Sequence, residues 1–164
     1  MPSRGRWLDR LLRGALRIAS TKPGGVFFTT VQPPIDRFLL RVTQGRFSVA
    51  GIAIPTLLLS TRGRKSGKPR TAPLLYLPSE DDRTFYVIGS RGGRKAHAGW
   101  YYNLVHDPEV TITLRGQVLP YRATVLEDPE RHQVWQHFVT FNRHFNRYQE
   151  RIDRQIPVIR LQPR

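Results

Sequence analysis

The stretch LLLSTRGRKSGKPRTAPLLY, residues 57–76, sets two short apolar runs on either side of a turn rich in glycine and positive charge. Two apolar runs joined by a turn of this composition predict a β-hairpin. The basic side chains in or beside the turn are Arg62, Arg64, Lys65, Lys68 and Arg70. Gly63 and Gly67 let the backbone bend and approach a ligand closely, and Ser66 adds a hydroxyl group. The turn therefore has the chemistry of an anion cradle, with phosphate as the anion it fits best.

The same turn is also compatible with a solvated hairpin tip or with a nucleic-acid patch. It does not fit the phosphate-binding loop of nucleotide hydrolases, which needs four residues between its glycines and Ser or Thr after its Lys. Here three residues separate Gly63 from Gly67, and Pro69 follows Lys68. On composition, a site for a small phosphorylated molecule is only slightly favoured over a nucleic-acid patch.

The composition describes a globular protein with an anionic partner. The 164 residues suit one domain, which we predict to span 1–164, and 39% of them are hydrophobic. The formal net charge of +15 implies nucleic acid, an anionic membrane surface or a highly charged small ligand as that partner. The chain contains no Cys, which excludes disulfides and thiolate metal sites and is compatible with the cytoplasm.

Residues 6–19 predict a basic amphipathic helix. Apolar side chains recur at helical spacing from Trp7 to Leu16. Much of the remaining surface is taken by Arg6, Arg10, Arg13 and Arg17. Such a helix can lie on an anionic membrane, or it can pack on its own domain with a solvated basic face. The sequence favours neither arrangement over the other.

The rest of the chain predicts more strands than central helices. Its β-branched and aromatic content predicts a strand at 84–90, which ends in a second glycine-rich basic turn at 90–95. The other predicted elements are helices at 35–43, at 96–105, from 128 onward and at 143–152, a hairpin of 109–114 with 117–126, and a closing strand at 157–161. Strands joined by hairpins favour a mainly β fold of the α+β class, an antiparallel barrel with peripheral helices.

The side chains offer no evident hydrolytic or metal-binding site. The five histidines form no ligand cluster with carboxylates at a recognisable spacing, so we predict no metal. Paired carboxylates and a G-x-S-x-G elbow are also missing. An enzyme built on this chain would rely on a bound organic cofactor. The segment WYYN, 100–103, either fills the core or forms an aromatic wall beside a planar ring, and single-stranded nucleic acid would suit the same wall.

Several motifs, in order and at matching spacing, resemble the deazaflavin-dependent (coenzyme F420-dependent) nitroreductases of actinobacterial type. The resemblance covers the chain from residue 57 to the C-terminus. Its motifs are LSTRGRKSGKPR (59–70), PLLYL (73–77), SRGG (90–93), WYYNL (100–104), DPEV (107–110), YQERIDR (148–154) and IPVI (156–159). The resemblance implies a split β-barrel of the flavin-reductase and pyridoxamine-oxidase type with flanking helices, and an oxidoreductase that uses reduced F420.

The resemblance also implies where the cofactor binds. The family residues that bind its phosphate-bearing tail correspond to Arg64, Lys65, Ser66 and Arg70. The approach to its ring corresponds to Thr71, Ala72 and Pro73. The ring-facing turn corresponds to Ile88, Gly89, Ser90 and Arg91, and the aromatic segment to Gly99, Trp100, Tyr101, Tyr102 and Asn103. Hydride would pass to a quinone-like, enone or nitro acceptor, with Ser90, Tyr148 or solvent giving the proton.

The sequence departs from this family just before Tyr148. Some members carry a series of tyrosines there as part of a substrate pocket, whereas this chain reads FNRHFNRY at 141–148, so their substrate preference is not transferred. Flavin mononucleotide (FMN) is the alternative cofactor, and a non-enzymatic barrel that binds nucleic acid or anionic membrane is the alternative of another class. We expect a small-molecule electron acceptor, disfavour nucleic acid, and expect a cytoplasmic protein able to sit on the inner face of the cell membrane. The sequence does not decide the oligomeric state.

Overall fold

The computed structural model describes residues 55–164, of which Leu57–Arg164 form one compact unit. The helices predicted at 6–19 and 35–43 lie outside the described residues. A single domain over 1–164 therefore stays a prediction.

The described residues form a six-stranded barrel with three α-helices. The strands are β1 (Thr56–Arg62), β2 (Pro69–Pro78), β3 (Phe85–Ile88), β4 (Glu109–Leu114), β5 (Gln117–Val125) and β6 (Val158–Pro163). The helices are α1 (Gly99–His106), α2 (Glu130–Phe141) and α3 (His144–Glu150), and a short 3-10 turn covers Arg91–Gly93. The strands close in the order β1-β2-β3-β6-β5-β4, with antiparallel pairing. The predicted antiparallel barrel with flanking helices is confirmed.

Both predicted hairpins form, and their turns contain residues with positive φ. In the β1–β2 turn, the N–H of Gly63 donates to the carbonyl of Lys68 at 2.9 Å, and Gly67 has a φ of 65°. In the β4–β5 turn, Arg115 and Gly116 have φ values of 51° and 81°. Two successive positive φ values are typical of the two-residue turn whose twist matches that of the flanking strands.

Alternation along β3 and β6 separates two cores. Val87 pairs with Ile159, and both side chains lie inside the barrel with Ile112, fully buried. One residue along, Ile88 pairs with Val158 and belongs to the second cluster. Because successive side chains of a strand point to opposite faces, the second cluster lies on the outer face of these two strands.

Helices α2 and α3 cover that outer face. Phe138 of α2 is fully buried and meets Phe145 of α3 edge to face, with ring centroids 6.1 Å apart. Arg131 of α2 is also buried, and its guanidinium donates to the carbonyl of Ile156 at 2.9 Å. The helices are therefore held by apolar burial and by a cation bonded to the backbone that leads into β6.

Several predicted boundaries were wrong, including those of β3 and α1. Strand β3 ends at Ile88, two residues earlier than predicted, and α1 begins at Gly99, three residues later than predicted. The carbonyls of Ala96 and His97 accept hydrogen bonds from the guanidinium of Arg91, at 3.4 and 3.1 Å. Ala98, the residue before α1, has extended backbone angles (φ −68°, ψ 150°), so the helix does not start before Gly99.

Within residues 55–164, no helix combines the length and the apolar character needed to cross a membrane. In the same part of the chain, His, Asp and Glu side chains do not gather in groups of three or more that could hold a metal ion.

Candidate active site

A cleft of about 340 Å³ lies where β2, the end of β3, the start of α1 and α3 meet. Its lining residues are Ala72, Pro73, Leu74, Leu75, Ile88, Ser90, Arg91, Ala98, Trp100 and Phe145. The walls are apolar, and Ser90 and Arg91 are the polar members of the lining. Apolar concavities with a few placed polar groups are typical of ligand and cofactor sites.

Trp100 lines the cleft and also packs against the inner core. It packs against the cluster inside the barrel, and its ring also lines the cleft. A Cβ atom added to Gly89 would lie 2.8 Å from Cγ of Pro157 and 3.7 Å from Cη2 of Trp100. The missing side chain at position 89 therefore lets the turn after β3 pack tightly between the indole and the chain that enters β6.

The basic turn between β1 and β2 is attached to α1 through Asn103. The side chain of Asn103 is buried, accepts from the N–H of Arg64 at 3.2 Å and donates to Oγ1 of Thr61 at 3.1 Å. The guanidinium of Arg64 lies 4.8 Å from the centroid of the Tyr102 ring, a cation–π contact. Asn103, predicted as a cofactor contact, uses both ends of its amide within the protein, where it positions the turn.

The cations of this turn have no carboxylate partner among the described residues. The exposed basic side chains are Arg62, Arg64, Lys65, Lys68 and Arg70, and none takes part in an ion pair with an Asp or Glu of residues 55–164. A Cβ atom on Gly63 would lie 2.8 Å from Oγ of Ser66 and 3.1 Å from the carbonyl of Lys68. Next to the turn, the hydroxyls of Thr71 and Ser60 are hydrogen-bonded at 2.9 Å. A compact turn with several exposed cations is suited to an anion.

The second turn, residues 89–97, is held by two guanidinium groups. Arg91 donates to the carbonyls of Ala96 and His97 within the turn. Arg154, from the loop after α3, donates to the carbonyls of Gly89, Ser90, Arg94 and Lys95. The turn thus presents its carbonyls to protein cations, although it has little regular structure of its own.

Sequence reasoning assigned no role to Arg154. The residue ends the motif YQERIDR, in which the family resemblance points to a role for Tyr148. A cation in a loop looks the same in sequence whether it meets solvent, a ligand or backbone carbonyls. The motif match itself was the one signal that pointed to this position.

His97 contacts both helix α1 and Arg154 of the loop after α3. Its ring stacks on Tyr101, with centroids 4.3 Å apart, and its Nδ1 lies 3.3 Å from Nη1 of Arg154. Burial, and then the charge of Arg154, hold the pKa of His97 below its usual value. Since Arg154 can only donate, Nδ1 of a neutral His97 accepts this hydrogen bond.

Other predicted residues lie away from the cleft wall. Tyr148 of α3 packs its ring on Phe145, with centroids 6.1 Å apart, and Phe145 rather than Tyr148 is part of the described lining. Gly99 is exposed at the start of α1, and a Cβ atom there would meet nothing within 4 Å. The predicted positions thus fall into a group at the cleft, a group at the basic turn, and these outlying residues.

The size of the cleft limits what it can hold. Its 340 Å³ lies near the lower end of the range of about 300–1,000 Å³ that is usual for small-molecule sites. That space suits a ring system, so the charged part of a larger ligand would lie outside the cleft. The exposed cations of the β1–β2 turn suit an acidic tail, and the apolar walls suit a planar ring. The residues present therefore fit a cofactor of the F420 type.

Comparison with known proteins agrees with this fit. The sequence profile of the F420H(2)-dependent quinone reductase family matches residues 38–163. The F420H(2)-dependent quinone reductase Rv1261c of Mycobacterium tuberculosis is 36% identical over 129 residues, which cover 75% of this chain and 84% of that protein. Rv3178 of the same organism, assigned by name to the same class, is 40% identical over 111 residues, covering 68% of this chain and 92% of that protein.

A solved structure, the F420-H2 dependent reductase FDR-A, superposes with a TM-score of 0.60 at 34% identity. The match covers 66% of this chain and 94% of FDR-A. Fold and cleft together define a split-barrel oxidoreductase that uses coenzyme F420. The chain belongs to the F420H(2)-dependent quinone reductase family. The predicted cofactor and reaction class are confirmed, whereas the roles of individual residues stay predictions.

Two adjacent glycines in the second turn allow a matched test of its packing. Gly92 and Gly93 have φ values of 62° and 74°, so Ala at either position costs about 1–2 kcal/mol of backbone strain. A Cβ atom on Gly93 would also lie 3.2 Å from Cα of Tyr148, whereas one on Gly92 would meet nothing within 4 Å. We expect Gly93→Ala to lower the free energy of unfolding by clearly more than Gly92→Ala, as measured by urea denaturation. Equal losses would show that the turn does not pack on α3 as described.

Proposed function

We propose that the cleft binds the ring of reduced F420 and that the protein reduces a quinone there by two electrons. The observation that carries the proposal is an apolar cleft with Ser90 and Arg91 as its polar members, in a barrel whose basic turn lacks carboxylate partners among residues 55–164. When bound, reduced F420 supplies the hydride. The quinone is inferred from the names of the relatives, Rv1261c among them.

The basic turn would hold the anionic tail of the cofactor. Arg64, Lys65 and Arg70 bring charge, and Ser66 brings a hydroxyl, all on an exposed loop whose shape is set within the protein. Because the loop is anchored by Asn103, little conformational entropy would be lost when the anion binds. Thr71 follows on β2 and continues the path from the turn toward Ala72 and Pro73 of the cleft.

The apolar walls would orient the ring and exclude water. Pro73, Ile88 and Trp100 approach the cleft from three different elements, so the ring would be bounded on several sides. Removing water from the reacting centre strengthens the remaining polar interactions and suppresses side reactions. These residues would contribute through placement and burial rather than through acid–base chemistry.

Ser90 is our candidate for handling the proton. Reducing a quinone to a hydroquinone needs one hydride and one proton, and Ser90 brings a hydroxyl to the lining of the cleft. Its Oγ could donate that proton to the quinone oxygen and recover one from solvent. Tyr148 is the second candidate, but its ring packs on Phe145, and Phe145 rather than Tyr148 belongs to the described lining. Enone and nitro acceptors are further candidates for the same hydride chemistry.

A titration with three ligands tests the proposal. F420 should bind more tightly than FMN or single-stranded DNA and should quench tryptophan emission. Trp100→Phe should remove most of the quenching because Trp100 lines the cleft, while Trp135 lies in the other core cluster. Under anaerobic conditions, one reduced F420 should then be oxidised for each menadione added. Tight binding to DNA alone, or to FMN in preference to F420, would contradict the proposal.

The basic turn generates a second prediction. We expect Lys65→Ala and Arg70→Ala each to raise the Kd for F420 about 10- to 100-fold, because a charge-assisted hydrogen bond is worth about 1.5–3 kcal/mol. Stability should stay within about 0.5 kcal/mol, since both side chains are exposed. Arg83→Ala is the matched control: it removes the same charge near Pro78, at the far end of β2, and should bind F420 like the parent. If the turn variants also bind like the parent, the tail is held elsewhere.

We further propose, from the sequence, that residues 6–19 attach the protein to the inner face of the membrane. That segment lies outside the described residues. Its arginines would add about 1 kcal/mol each near an anionic surface, and its apolar stripe would enter the interface. This attachment would bring the cleft close to a lipid-soluble quinone.

Vesicle flotation tests this attachment. The parent should float with anionic vesicles at low salt and be released at high salt, because surface charges are then screened. Changing Arg6, Arg10, Arg13 and Arg17 to Gln in the full-length chain should abolish flotation, whereas neutral vesicles should bind neither protein. A variant that floats as well as the parent would refute the attachment and make a soluble quinone the better substrate.

A further inference from the structure

Arg154 has more backbone partners than a solvent-facing arginine could find. Its Nε contacts the carbonyl of Lys95 at 2.8 Å, and its Nη2 contacts those of Arg94, Ser90 and Gly89 at 3.0, 3.3 and 3.4 Å. Its Nη1 lies 3.3 Å from Nδ1 of His97. All three nitrogens are thus committed to one turn. Unlike the cations of the β1–β2 turn, Arg154 directs its guanidinium at the protein backbone.

The turn needs such a partner because its backbone is unfavourable by itself. Arg91, Gly92 and Gly93 have successive φ values of 47°, 62° and 74°. Positive φ is unfavourable for a residue with a side chain, and this cost falls here on Arg91. Hydrogen bonds to a charged donor are the stronger kind, so several of them on one guanidinium offset this cost.

The same bonds set the direction of two peptide groups. In a trans peptide the N–H points opposite to the carbonyl. The carbonyls of Gly89 and Ser90 turn toward Arg154, so the N–H groups of the residues that follow them, Ser90 and Arg91, turn away from it. Both Ser90 and Arg91 line the cleft. Both N–H groups thus belong to residues of the cleft lining and point away from the guanidinium.

Arg154 is itself held from three elements. Gln149 of α3 donates to the carbonyl of Arg154 at 2.8 Å and accepts from the N–H of Ile156 at 2.8 Å. His97, which contacts the guanidinium, stacks on Tyr101 of α1. The side chain is therefore placed by α1, α3 and the chain that enters β6 before any ligand binds.

We propose that Arg154 is a positioning residue, which holds residues 89–97 so that the N–H groups of Ser90 and Arg91 face the cleft and bind an oxygen of the cofactor ring. The choice of ring rests on the function proposed above. Arg154 itself touches neither ring nor substrate in this arrangement. Substitution of Arg154 should therefore make residues 89–97 more mobile and weaken binding of the cofactor.

Three full-length variants test the proposal: Arg154→Ala, Arg154→Lys and the control Arg151→Ala, which removes an exposed cation from the same loop. In the ligand-free proteins, amide exchange over residues 89–97 should rise at least tenfold in Arg154→Ala and stay at the parent level in the hairpin of β4 and β5. The Kd for F420 should rise at least tenfold, and the KM for reduced F420 should rise more than kcat falls. Arg151→Ala should match the parent in every measurement.

The lysine variant separates positioning from folding. Lysine keeps the charge but not the planar fork, so Arg154→Lys should recover part of the exchange protection and part of the affinity. If Arg154→Ala does not fold, Arg154→Lys carries the same comparison. Unchanged exchange over residues 89–97, or an equal rise in the β4–β5 hairpin, would overturn the positioning role. If the parent binds F420 and Arg154→Ala binds it equally well, the positioning role alone fails; if the parent does not bind F420, the proposed function fails and takes this inference with it.

Discussion

The pairing of β3 with β6 is the constraint on which the rest of the described structure depends. It joins Val87 to Ile159 inside the barrel and Ile88 to Val158 outside it, and so creates an inner core and a face for α2 and α3. The pairing continues one step further, where the N–H of Gly89 donates to the carbonyl of Pro157 at 2.9 Å. Beyond that bond the two segments of the chain separate. The segment after β3 enters the turn at 89–97, and the segment before β6 leads back through Arg154 to α3. The cleft lies where these two segments separate, so its geometry depends on the pairing of β3 with β6.

The excess of positive charge is divided between two tasks. Arg131 and Arg154 are bonded to backbone carbonyls, which fixes α2 and the turn at 89–97. Lys65 and Arg70 are exposed on the β1–β2 turn without a carboxylate partner among residues 55–164. Arg131 and Arg154 supply hydrogen bonds to backbone that is not in regular secondary structure. The exposed cations Lys65 and Arg70 create a positive potential that attracts an anion. In sequence both kinds look alike, since only their partners differ.

Prediction from sequence succeeded where the signal was local. The hairpins at 57–76 and 109–126 depend on apolar runs and turn residues that lie next to one another, and both form. Prediction was less accurate where a distant residue intervenes. Asn103 bonds to Thr61 and to the N–H of Arg64, which are about forty positions away and could not be paired with it by inspection.

By itself the sequence determined the barrel class, the basic turn and, through its ordered motifs, the family and its cofactor. Hydrophobic alternation, turn residues and charge act over a few positions, so they can be read without coordinates. Only the tertiary structure decided which predicted residues share the cleft, that Asn103 serves the turn, and that Phe145 rather than Tyr148 belongs to the described lining. It also decided the role of Arg154, because the four carbonyls that a guanidinium gathers lie some sixty residues away along the chain. Closing a barrel brings such distant groups into contact, and no local pattern records which of them will meet.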